Sequence, residues 1–111
     1  MGIFWDGLEI KREEYHTDFV YLELQGELTV KNIAKLSKMM QDIVNNGFLS
    51  IQFNFNNVNY LDSSGLGLLA KFNSQIKLTI ENVQPQVMEI FDITGLSKVI
   101  DVTRSDDNFH C

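Results

Sequence analysis

Tyr60-Leu61-Asp62-Ser63-Ser64-Gly65-Leu66-Gly67-Leu68-Leu69 joins an Asn-rich apolar segment to an almost wholly apolar one. Upstream, Ile51, Phe53 and Phe55 alternate with Gln52, Asn54 and Asn56, the period-two pattern of a strand buried on one face. Downstream, Leu66 to Phe72 is apolar nearly all round, as in a helix with little exposed surface beyond its first turn. A strand running straight into a helix is the building unit of an α/β domain. The junction puts Asp62, Ser63 and Ser64 where the first helical N–H groups lack intrahelical partners and the helix dipole is positive. Ser63 or Asp62 caps the helix, and a serine at this point tolerates a phosphate at modest structural cost.

The same alternation of elements extends in both directions. Phe19 to Leu24 is rich in β-formers and reads as a strand closed by Gly26, paired with an earlier strand over Leu8 to Glu13 through the polar turn Tyr15-His16-Thr17-Asp18. From Lys31 to Asn46, Ile33, Leu36, Ser37, Met40, Ile43 and Val44 recur at helical spacing, and Asn46-Gly47 supplies a stop. Beyond the junction, Lys77 to Ile80 reads as a short strand. Pro85 suits the first turn of a third helix carrying Val87, Met88, Phe91 and Ile93, with Gly95 as its end. Val99, Ile100 and Val102 suggest a last short strand. The expected fold is a single α/β domain with helices packed on a mostly parallel, mixed sheet of four to five strands. Its core spans about 8–102, and 103–111 forms a polar tail.

Composition narrows the function classes. The chain has 111 residues, 44% apolar and 22% charged, which suits one folded domain with one core. A net charge of −6 disfavours DNA or RNA binding through counterion release, and equally a dock on an anionic membrane surface. The single cysteine, Cys111, forms no internal disulfide, and Met1 to Ile10 carries Asp6 and Glu9 in place of a long apolar leader run. No segment is long and apolar enough for a membrane span, so a cytoplasmic chain is expected. His16 and His110 have no neighbouring Cys or second His and read as solvated; Asp106-Asp107 reads as tail. Ile3, Phe4 and Trp5 suit core packing or an edge-strand anchor, and a monomer or weak homodimer is expected. Gly65-Leu66-Gly67 lacks the spacing and the Lys-Ser/Thr of a phosphate-binding loop. No nucleophile–base order, paired carboxylates or metal-ligand cluster appears, so neither a catalytic residue, a cofactor nor a metal is expected.

Three stretches, taken in order, resemble a known family. Gly26-Glu27-Leu28-Thr29, Tyr60 to Leu69, and Phe91-Asp92-Ile93-Thr94-Gly95-Leu96 look like the signatures of the STAS domain, nearest to its bacterial anti-sigma-factor antagonists. The likeness runs from about Leu8 to Val102. It implies that Ser63 is phosphorylated by a partner anti-sigma factor, itself a serine kinase, and reset by a phosphatase. Unphosphorylated antagonist binds that factor and frees a sigma factor; the phosphorylated form releases it. Asp62, Ser63, Ser64, Gly65 and Leu66 would then be the partner-binding turn, with Gly65 and Gly67 leaving the helix start low and open. The rival expectation is a non-enzymatic STAS accessory subunit of a lipid-transport ATPase or signalling assembly, docking through the same turn. The sequence departs from the family in a shortened stretch after the Gly-Leu-Gly, in Thr29 where antagonists often carry Asp, and in Gln84, a weak cap before Pro85.

Overall fold

In the computed structural model, which describes residues 2–15 and 18–105, six strands form one sheet in the order β1-β2-β3-β4-β5-β6. They are β1 (Gly2–Trp5), β2 (Leu8–Tyr15), β3 (Phe19–Leu28), β4 (Ser50–Leu61), β5 (Lys77–Val83) and β6 (Asp101–Arg104). The helices α1 (Ile33–Asn45), α2 (Ser63–Asn73) and α3 (Pro85–Thr94) connect β3 to β4, β4 to β5 and β5 towards β6, the last through a 3₁₀ turn at Leu96–Lys98. The pairs β1–β2 and β2–β3 are antiparallel, and the three remaining pairs are parallel. This is the expected mixed α/β domain, with one strand more than the four to five read from the sequence. His16, the Asp106-Asp107 pair, His110 and Cys111 lie outside the described residues.

The helices share one face of the sheet. Val20, Leu22 and Leu24 of β3, Ile51, Phe53 and Phe55 of β4, and Leu78 and Ile80 of β5 are buried there. Leu36, Met40 and Ile43 of α1, Leu68, Leu69 and Phe72 of α2, and Val87 and Phe91 of α3 close over them. Phe55 stands at the centre, edge-on to Phe53 at 5.8 Å and tilted against Phe91 at 6.2 Å. The alternate residues of the same strands form a helix-free polar face. There Asn54 donates to the Tyr21 hydroxyl at 2.8 Å, and Tyr21 and Gln52 both reach the Glu81 carboxylate at 3.4 Å. Strands of a wholly parallel sheet are normally apolar on both faces. Here the polar alternation leaves one face to solvent.

Where the boundaries differ from the sequence reading, backbone irregularities are the reason. The first hairpin turns at Asp6-Gly7, both with positive φ (43° and 88°), the geometry of a two-residue turn that matches strand twist. Gly26 does not close β3 but continues it at φ 120°, and a β-carbon on it would stand 2.0 Å from the Gly7 carbonyl oxygen. The strand legible from Ile51 to Asn56 continues through Asn57, Val58 and Asn59 to Leu61. Register shifts between Glu23 and Gln25 and between Gly26 and Glu27 break the alternation, so that Phe55, Val58 and Leu61 are buried at every third position. At the other end, Ile100 is buried ahead of the last strand, and β6 takes in Thr103 and Arg104 from the expected tail. Gly95 ends α3 in the left-handed conformation, as its position predicts.

Candidate functional site

The carboxyl ends of β3 and β4 bring Leu28 and Leu61 side by side, and the chain leaves both strands at the same rim of the sheet. In open α/β sheets this edge is where ligands and partners are met. After β4 the chain enters α2 at once. Asp62 is the N-cap: its backbone is extended, and its Oδ1 accepts from the Ser64 N–H at 2.9 Å and the Gly65 N–H at 3.2 Å. Its Oδ2 accepts from the Val30 N–H at 3.1 Å, and its own N–H donates to the Leu28 carbonyl at 3.1 Å. One side chain therefore ties the start of α2 to the loop between β3 and α1. Desolvation pushes the Asp62 pKa up, but the N–H groups of Val30, Gly65 and Ser64 outweigh it and hold the carboxyl below its ordinary range. The carboxylate is ionised at neutral pH.

Ser63, the first residue of α2, is exposed, and its hydroxyl makes no hydrogen bond among the described residues. Ser64 and Leu66 are half-buried. Gly65 points inward. A β-carbon there would lie 3.0 Å from the Leu28 carbonyl oxygen and 3.2 Å from Leu61 Cβ, so this glycine seats the helix against the strands and presents no surface. The open glycine of the pair is Gly67, where an added β-carbon would meet nothing within 4 Å. The expectation of several unpartnered amides at the helix start is also revised. Asp62 takes the Ser64 and Gly65 N–H groups through its side chain and the Leu66 N–H through its carbonyl. A phosphate on Ser63 would project into solvent beside an ionised carboxylate, instead of settling into a ring of free donors.

Two large exposed residues stand beside the Asp62–Ser63 turn, and one of them, Val30, is absent from the sequence expectations. Val30, whose N–H binds Asp62, is 68% exposed, and Tyr60, level with Glu27 across the β3–β4 ladder, is 48% exposed. Supporting the Val30 loop from below is Asn32, the only buried polar residue among those described. Its Nδ2 donates to the carbonyls of Glu27 at 2.9 Å and Asp6 at 3.0 Å, while its Oδ1 accepts from the Thr29 N–H at 3.1 Å. The expected helical pattern from Lys31 took in Asn32, but α1 begins after it, and Asn32 forms no cap bond and clamps three chain segments. Thr29 turns its Oγ1 to the Lys31 N–H at 3.3 Å. Among the described residues no group of three His, Cys, Asp or Glu side chains could hold a metal ion, and no helix is long and apolar enough to cross a membrane.

A sheet of this order with an Asp-capped, serine-bearing helix start at its rim defines a class, and comparison with known proteins agrees. The family model of the STAS domain matches residues 10–108, and the chain belongs to that family. It is 33% identical over 97 residues to the anti-sigma-B factor antagonist of Staphylococcus epidermidis, covering 83% of this chain and 90% of that protein. The fold is shared with solved structures at lower identity. The anti-sigma factor antagonist SpoIIAA in its unphosphorylated form superposes with a TM-score of 0.75 at 20% identity, covering 89% of this chain and 91% of that one. An anti-sigma factor antagonist from Mycobacterium paratuberculosis gives 0.78 at 17%, covering 91% and 89%.

Proposed function

We propose that this chain is an anti-sigma-factor antagonist whose hold on its partner is switched at Ser63. The observation that carries the reading is the exposed, unengaged Ser63 hydroxyl placed directly after the capping Asp62. The partner is a serine-kinase anti-sigma factor that transfers the γ-phosphoryl group of ATP to Ser63 Oγ, releasing ADP and the hydroxyl proton. A phosphatase reverses the step by hydrolysis, giving back the serine and inorganic phosphate. In this role the chain is a substrate and binding module in the cytoplasm, not a catalyst.

The physical logic is local. Phosphorylation adds about −1.5 to −2 charges at neutral pH. The new charge stands next to the ionised Asp62 and at the border of Val30 and Tyr60. A partner surface packed on that rim would have to desolvate both anions, and like-charge juxtaposition across an interface costs several kcal/mol. The fold itself has no reason to change, because the Ser63 side chain contributes no hydrogen bond to it. The test is to incubate the chain with its cognate serine-kinase anti-sigma factor and ATP and to map phosphate by mass spectrometry. Modification at Ser63, with loss of partner binding by Ser63→Glu, is expected. Phosphate elsewhere, or undiminished binding by Ser63→Glu, overturns the reading.

A further inference from the structure

The charge of the molecule is unevenly divided. The chain carries −6, from fifteen carboxylates against nine Lys and Arg. The outer surface of α1, α2 and the turns leading into them has the opposite sign: Lys31, Lys35, Lys38 and Lys71 are all exposed there, against Asp42 and Asp62, with Asp6 and Glu27 at the adjoining rim beside Asn32. Lys35 and Lys38 are adjacent on one exposed side of α1, and Lys31 precedes them in the turn. Asp42 lies at the far end of the helix, away from Ser63. The exposed residues between the cations are small, namely Ala34, Gly67 and Ala70, so the surface is low as well as basic. The helix-free face of the sheet has an acidic excess, with Glu9, Glu13, Glu23 and Glu81 against Lys11 and Lys77.

We infer that the α1–α2 surface is a second docking area for the partner that reads Ser63, and that it takes an acidic protein surface. The inference rests on the proposed function. It adds the chemistry of the partner and a reason for the switch to act at a distance. The basic area is continuous with the serine, because Val30, next to Lys31, is hydrogen-bonded to Asp62, next to Ser63. The lysine ammonium groups are charges on long flexible stems, suited to steering an encounter. With a basic helical surface on one side and an acidic sheet face on the other, the chain would approach an acidic partner α1–α2 first. A phosphate on Ser63 then acts twice: it obstructs the rim, and it sets about −1.5 to −2 charges against the four lysines that draw the partner in.

The test measures association of the chain with the anti-sigma factor that phosphorylates it, by stopped-flow, across ionic strength. Raising salt from about 0.01 to about 0.15 M shortens the Debye length from about 30 to about 8 Å. The association rate should fall at least tenfold over that range. The double variant Lys35→Glu/Lys38→Glu should associate at least tenfold more slowly at low salt with little salt dependence, while its circular dichroism stays unchanged. A rate insensitive to salt and to the double variant, with Ser63→Glu still blocking binding, overturns this inference alone. An anti-sigma factor that binds neither variant nor parent overturns the proposed function and this inference with it. Co-sedimentation of the parent, but not the double variant, with phosphatidylserine vesicles at physiological salt also overturns it, by assigning the lysines to a membrane.

Discussion

Replacement of Asn32 by Ala should destabilise the domain far more than a surface-loop substitution does. Asn32 is fully buried, and its side chain makes three hydrogen bonds, to the Asp6 and Glu27 carbonyls and from the Thr29 N–H. A buried hydrogen bond contributes about 1 kcal/mol net, and an orphaned buried partner costs about 1–3 kcal/mol. Thr29 and Glu27 lie at a rim where water can rescue part of the loss, so the expected total is about 3 kcal/mol. Against a domain stability of about 5–15 kcal/mol, that is a large fraction. It corresponds to a fall in Tm of roughly 10–20 °C for a chain of this size. Urea unfolding followed by circular dichroism checks it, with m unchanged if both states keep their compactness. Asn32→Asp is the sharper companion. It keeps the acceptor for Thr29 but sets a carboxylate against two carbonyl oxygens, so it should cost more than Ala despite being nearly isosteric. A loss below about 1 kcal/mol for Ala, or Asp milder than Ala, would refute the clamp.

Ser63→Glu should leave unfolding within about 0.5 kcal/mol of the parent, since an exposed side chain without partners is replaced. A larger change in urea would tie Ser63 to the fold. Gly26→Ala should fail to fold or lose more than about 3 kcal/mol, because its β-carbon would meet the Gly7 carbonyl at a positive φ; soluble, parent-like protein would contradict this. Phe91→Ala, which empties the space beside Phe55, should cost about 3–5 kcal/mol by the same assay. For Asp62, whose folded pKa is depressed, the sign is that of a carboxylate preferring its ionised form in the native state. Its contribution is present above the ordinary value of 3.8 and is lost as pH falls through the lower folded value. The Val30 and Gly65 amide resonances should therefore titrate with a midpoint below 3.8; a midpoint at or above it would show that the cap is not holding the charge.

Patterns carried by side chains were legible in the sequence. Ile51, Phe53 and Phe55 announced their strand, and Gly95 and Pro85 marked α3, because burial and backbone preference act residue by residue. The Asp62-Ser63 junction was legible for the same reason, down to the helix start. The interactions of main-chain groups were not. Val30 matters through an N–H that any residue but proline possesses, and Asn32 through carbonyls drawn from two other segments. Gly65 looked like an opening because a glycine's sequence context does not reveal which side of the helix meets Leu28 and Leu61. The strand β1 escaped because four residues give too few alternations, although Asp6-Gly7 was a usable hairpin signal. In β4 the register shifts break the alternation after Asn56, which hid the last part of the strand, Asn57 to Leu61.

The Asp62–Val30 link has a consequence for how such a domain can diversify. Geometry at the rim is fixed by one carboxylate and three backbone donors, so the side chain of Val30 is free to change while the anchor stays put. Sister proteins in one cell could vary that residue and its neighbour Lys31 to choose different partners, with Ser63 held in the same place throughout. Only proline at position 30 would be forbidden, since it alone removes the donor. Insulation between parallel signalling circuits would then need only a few loop substitutions, with no redesign of the switch.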